Sequence, residues 1–127
     1  MESEKEGSRP ARRVYEVTAA GRQEFNRLLM ELWTDDKREF FPLDIGLFFL
    51  SELPEVKRLP LITGRIDGIR RTLAHLEKHQ QDVDRNPHVP AEAGAIFSHT
   101  RHHLKAELAW LEEVKADVES GRIPGRR

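Results

Sequence analysis

Apolar residues recur along most of this chain at the three- and four-residue spacing of an α-helix. The first such run extends from about Ala19 to Trp33, and Thr18 precedes it as an N-cap whose hydroxyl can accept the amide hydrogen of Gly21. The alternating stretch from Arg12 to Val17 is typical of a short strand. Met1 to Pro10 is polar and alternates in charge, which indicates a disordered start or the tip of a loop.

A second helix is predicted over the stretch from Phe40 to Leu50, which has almost no polar face and should therefore be buried nearly all round. Pro54 and Pro60 are expected to bracket a short turn or helical piece, because proline lacks the amide that a helix interior needs. A third helix should then start after Pro60. Its apolar positions follow the spacing of a coiled-coil seam, with Gln80 completing a series of Ile62, Ile66, Ile69, Leu73, Leu76, Gln80 and Val83.

The fourth helix is predicted from about Ala93 to Ser120, with Gly121 as a left-handed cap. One apolar stripe can pair with the third helix, and Ala106, Trp110 and Val114 form a second stripe beside it. Either the second helix or a partner chain could cover this surplus, and the short connection after the second helix favours a homodimer. The predicted interface comprises Leu108, Trp110, Leu111 and Val114.

These elements predict a mainly α fold: a strand followed by a helix, then a C-terminal helical domain with a long antiparallel hairpin, divided into residues 1–33 and 34–127. The 127 residues carry 21 basic and 22 acidic side chains, so a generally basic nucleic-acid coat is excluded. The chain has no cysteine and no apolar run resembling a signal peptide or membrane span, and we expect a cytoplasmic protein that does not bind membranes.

Catalytic and metal-binding patterns are weak in this sequence. His75 with His79, and His99 with His103, are each four residues apart, but the predicted seams turn the two pairs outward, so solvated histidines are favoured over a metal site. No other catalytic arrangement is found, and neither an enzyme nor a cofactor is expected. Asp44 lies in the most apolar stretch, either in the first turn of its helix, which we prefer, or beside an arginine such as Arg65.

The segment from Arg12 to Phe25, RRVYEVTAAGRQEF, resembles the last wing strand and following helix of winged-helix transcription regulators. Tyr15, Thr18 and Gly21 carry the likeness, as strand anchor, helix cap and close-packing position. The near-apolar helix, the proline-bracketed turn and the long helical pair that follow resemble the C-terminal domain of PadR-family regulators, including the virulence-activator type, over about Arg9 to Glu119.

The resemblance implies a remnant of a winged-helix domain over residues 1–33 and a dimerisation and effector domain over 34–127. The DNA-reading helices of such regulators are absent from this sequence, whether through an artificial fragment, a truncated reading frame or a natural loss. Arg9, Arg12 and Arg13 would approach the DNA backbone in the intact parent protein, although solvated strand charges are the alternative. This chain alone should bind DNA weakly or not at all.

An effector pocket is also implied, since the family senses phenolic compounds and drugs. Trp33, Phe48 and Trp110 are the candidates, although aromatic stripes more often form core. The sequence thus predicts a PadR-like transcriptional regulator represented by its dimerising and sensing half. The alternative is a stand-alone helical adaptor that pairs with full-length regulators, and a small metal-binding helical enzyme is the least favoured reading.

Overall fold

The computed structural model describes residues 2–4 and 12–125 of the chain, with side chains from residue 13 onward. The chain divides into two compact units, residues 1–40 and 41–127. The boundary thus follows Phe40, whereas the sequence pattern placed it after Trp33.

The first unit begins with two short antiparallel strands, β1 (Glu2–Glu4) and β2 (Arg12–Val14). Their register pairs Glu2 with Val14, Ser3 with Arg13 and Glu4 with Arg12. The expectation of disorder or loop was wrong for Glu2–Glu4, because a short polar strand held by backbone pairing leaves no apolar pattern. The rest of that stretch, Met1 and residues 5–10, lies outside the described residues.

Helix α1 (Ala19–Thr34) follows β2 and begins as the sequence predicts. The hydroxyl of Thr18 accepts a hydrogen bond from the amide of Gly21 at 3.0 Å, which satisfies one of the free donors at the helix start. No residue of α1 is buried within the described chain, so its apolar side chains are presented to solvent.

Helix α2 (Pro42–Phe48) is followed by a single 3₁₀ turn (Leu50–Glu52), and together they replace the predicted second helix. Pro42 occupies the helix start, where its missing amide hydrogen costs nothing. The prediction that this segment is buried nearly all round was wrong. Leucines cover one side of the segment, whereas the other side exposes half or more of each of Phe41, Ile45, Phe48 and Phe49.

Helix α3 (Glu55–Asp84) starts before Pro60, so the prediction that it starts after this proline was wrong. The residues between the two prolines are helical, one of the two predicted alternatives, but they belong to the long helix. Pro60 lies inside the helix and has no amide hydrogen to donate to the carbonyl of Val56. The loss of this hydrogen bond usually kinks or breaks a helix. Two features offset it: the helix continues through a buried seam, and the guanidinium of Arg58 donates to the carbonyls of Ser51 and Leu53 just ahead of the helix.

Helix α4 (Ala91–Glu119) returns antiparallel to α3, and Gly121 ends it with a φ of +79°, as expected for a left-handed cap. The two helices form the long hairpin that the sequence predicts, and the fold is mainly helical. The hairpin encloses the core of this unit, which consists of Ile62, Ile66, Ile69, Leu73, Leu111 and Val114. Within the described residues, no helix is both long and apolar enough to cross a membrane.

Candidate ligand-binding site at the foot of the hairpin

The foot of the hairpin, defined here as the end where α3 begins and α4 finishes, is covered by α2. Leu43 and Leu47 lie one turn apart on α2, and with Leu50 they place an apolar row against the hairpin. This spacing explains why only one side of α2 packs on the hairpin although nearly all its residues are apolar. The tip, defined as residues 85–90 at the other end, joins the two long helices.

A cavity of about 160 Å³ lies in the foot, between the leucines of α2 and both helices of the hairpin. We call it the foot cavity. Its walls are apolar apart from one arginine, and its lining includes Leu43, Leu47, Leu61, Ile62, Arg65 and Trp110. Apolar cavities of roughly 150 Å³ stay dry and accept a benzene-sized molecule. The foot cavity therefore has the size and chemistry to hold one aromatic ring.

Arg65 is the charged group of the foot cavity. Its side chain is half exposed, and its guanidinium lies 3.7 Å from the carboxylate of Glu107 on α4. A contact of this length between partly exposed groups is weak. The guanidinium can therefore bind an anionic substituent of a ligand without losing a strong internal ion pair.

The structure places only one of the three predicted effector residues in the foot cavity. Trp110 is half-buried and forms part of the wall. Phe48 is 77% exposed and meets Phe49 edge to face at 5.2 Å, outside the wall. Trp33 belongs to the other compact unit and is 87% exposed. The sequence reasoning missed Leu43, Leu47 and Arg65, although the leucine spacing in α2 is a usable signal.

The four residues of the predicted dimer interface are all at least half-buried within the single chain. Leu111 and Val114 are buried inside one chain, so they are not available to a partner. Leu108 and Trp110 are only half-buried and pack against the same core. We expected the connection after the second helix to be too short for α2 to reach Trp110; this was wrong, because Leu43 and Trp110 line one cavity.

Two of the three arginines proposed to approach DNA, Arg12 and Arg13, lie in β2. Arg9 lies outside the described residues, and Arg12 stands opposite Glu4 in the β-register. Arg13 is exposed and stands opposite Ser3.

Asp44 lies in the first turn of α2, the preferred of its two predicted placements, where a carboxylate is favoured by the helix dipole. On α1, the guanidinium of Arg27 donates to the carboxylate of Glu24 at 2.6 Å and holds the pKa of that carboxyl below its ordinary value. Both the guanidinium and the carboxylate are exposed.

The histidines stay in separate pairs. His75 and His79 are in ring contact on α3, and His99 and His103 are in ring contact on α4. Among the described residues, no group of three or more histidine, aspartate or glutamate side chains is arranged to hold a metal ion. A metal site with three or more such ligands is thus not found among the described residues.

Comparison with known proteins gives no further guide to this site, since no family model, no curated protein and no solved structure matches the chain.

Proposed function

We propose that this chain is the dimerisation and effector-sensing half of a PadR-like transcriptional regulator, and that its effector is a small molecule with a single aromatic ring. The foot cavity is the observation that carries the proposal. It is lined by apolar side chains from three helices and matches one ring in volume. The order of strand, capped helix and long helical hairpin supports the regulator assignment.

Arg65 indicates the class of effector. A ring that fills the apolar foot cavity would leave its substituent near the guanidinium, which pairs only loosely with Glu107. A carboxylate or phenolate substituent would gain a charge-assisted hydrogen bond there. We therefore propose a monocyclic aromatic acid or phenol.

Binding at this position would act on a surface that faces solvent. The half-buried leucines of α2 line the foot cavity, and the opposite side of the same short helix exposes Ile45 and Phe48. A ligand that fixes the leucines also fixes these exposed side chains. Effector binding would thereby select one arrangement of the apolar surface offered to a partner chain.

A second candidate, a stand-alone adaptor that pairs with full-length regulators, is favoured by one feature of the first unit. Phe25, Leu28 and Leu32 are exposed at helical spacing on α1, as in a helix that packs on another protein. The nucleotide sequence directly upstream of the Met1 codon separates the two candidates: an in-frame helix-turn-helix there supports the regulator.

Fluorescence of Trp110 tests the sensing role. Because Trp33 is the only other tryptophan, a Trp33→Phe protein reports from the wall of the foot cavity alone. We expect benzoic acid and phenol, titrated as probes, to change this fluorescence in a saturable way. Leu47→Phe should abolish the response by filling the foot cavity, whereas Leu104→Phe, half-buried in the same core but outside the lining, should preserve it. An unresponsive Trp110 with both probes, or equal losses in the two variants, would contradict the effector role.

A further inference from the structure

His99 and His103 lie one turn apart on the exposed side of α4, and their side chains converge. Their ring centroids are 4.5 Å apart, and the rings stand nearly perpendicular at 78°. The two Nε2 atoms approach to 2.9 Å, a hydrogen bond between two imidazoles. Both side chains are exposed, so an ion can reach these nitrogens from solvent.

We propose that His99 and His103 form a two-nitrogen site for a divalent transition metal ion, of the class represented by Ni²⁺ and Cu²⁺. Imidazole nitrogens bind such ions at about 2.0–2.1 Å. Two bonds of this length whose nitrogen ends lie 2.9 Å apart enclose an angle of about 90°. That angle belongs to neighbouring positions of square-planar and octahedral ions.

Zinc fits this spacing less well. Tetrahedral Zn²⁺ holds its ligands at about 109°, which separates two nitrogens by about 3.3–3.4 Å at the same bond length. The pair would have to open by several tenths of an ångström to bind Zn²⁺. The geometry therefore selects Ni²⁺ and Cu²⁺ over Zn²⁺.

Metal binding needs only a change of tautomer in this pair. In the hydrogen bond, one Nε2–H donates and the other Nε2 accepts, so one ring carries its hydrogen on Nε2. When that ring moves its hydrogen to Nδ1, both Nε2 lone pairs face the same point. The ion then lies to one side of the line between the two nitrogens, about 2.0–2.1 Å from each, and two neutral imidazoles bind it without net proton release.

The pair on α3 provides an internal comparison with the same spacing. The rings of His75 and His79 lie 4.7 Å apart, but no hydrogen bond joins their nitrogens in the described structure. The ring of His79 instead lies parallel to that of Phe97, at 6.5 Å and 8°. His102, which neighbours the proposed site, directs Nδ1 to the carbonyl of Ser98 at 2.7 Å. The converging nitrogens are therefore a property of His99 and His103.

Titration calorimetry of the full chain with NiCl₂ tests the proposal, in a non-coordinating buffer at a pH where free imidazole is neutral. We expect one Ni²⁺ per chain, bound more tightly than Zn²⁺. His99→Ala and His103→Ala should each weaken Ni²⁺ binding at least about tenfold, because the second nitrogen of a chelate binds at high effective concentration. The double variant His75→Ala/His79→Ala should keep the wild-type affinity within about twofold.

Paramagnetic broadening in nuclear magnetic resonance spectra gives an independent readout. Bound Ni²⁺ should broaden resonances around His99 and His103 before those around His75 and His79. Circular dichroism should show unchanged helicity in every variant, because all four side chains are exposed and alanine favours helices. Equal losses from the two pairs, Zn²⁺ binding as tight as Ni²⁺, or first broadening on α3 would each overturn the proposal.

Discussion

Replacing Ile66 with alanine should remove a large part of the stability of the second unit. Ile66 is 2% exposed and lies in the core between α3 and α4. The substitution deletes about three methylene equivalents, worth about 2.4 kcal/mol of transfer free energy at ~0.8 kcal/mol each. The cavity left in a packed hairpin adds to this, so we expect about 3–4 kcal/mol in the free energy of unfolding.

Urea unfolding followed by Trp110 fluorescence, in a Trp33→Phe background, measures this change in the unit that contains Ile66, residues 41–127. The midpoint should fall by roughly 2–4 M, given a slope of about 1–1.5 kcal/mol per M for a small protein. Ile96→Ala is the matched control, since it makes the same change on α4 at a side chain that is 67% exposed. Its midpoint should stay within the shift expected for about 0.5 kcal/mol. If both variants lose the same stability, the hairpin core described here is incorrect.

Four further predictions concern the turn, the charges, the assembly and DNA. Gly121→Ala should cost about 1–2 kcal/mol in urea unfolding, because alanine is strained at a φ of +79°; an unchanged midpoint would contradict that cap. Arg27 lowers the pKa of Glu24, so this pKa should rise in Arg27→Gln when it is titrated by nuclear magnetic resonance. The pair stabilises α1 at a pH above the ordinary glutamate pKa, and this stabilisation is lost as the pH falls through the lowered pKa. Light scattering at micromolar concentration should give about twice the chain mass of 14.7 kDa, and Trp110→Ala should shift the equilibrium towards monomer; a wild-type mass of 14.7 kDa would refute the homodimer. Mobility-shift assays near physiological salt should show no sequence-specific DNA binding, and specific nanomolar binding would refute this.

The sequence predicts features that depend on neighbouring residues and misses those that depend on how helices meet. The Thr18 cap and the Gly121 stop are local, and both were found where expected. Pro60 was misread because helix propensity argues against it, whereas packing of the seam beyond it decides the outcome. The foot cavity could not be derived, since it depends on how α2 docks on two helices that are distant in sequence.

The side chains that hold the hairpin together are concentrated away from its turn. The buried residues of α4 are Leu111 and Val114 near the foot, while residues next to the tip are at most half-buried. Closing the tip therefore buries little surface. The main contacts form only once Ile66 and Leu111 are brought together, which closes a loop of the whole chain between them and costs conformational entropy. We expect amide hydrogen exchange to be slowest around Ile66 and Leu111 and to become faster towards the tip. The hairpin should thus open from its turn and remain closed longest at the end that contains the foot cavity.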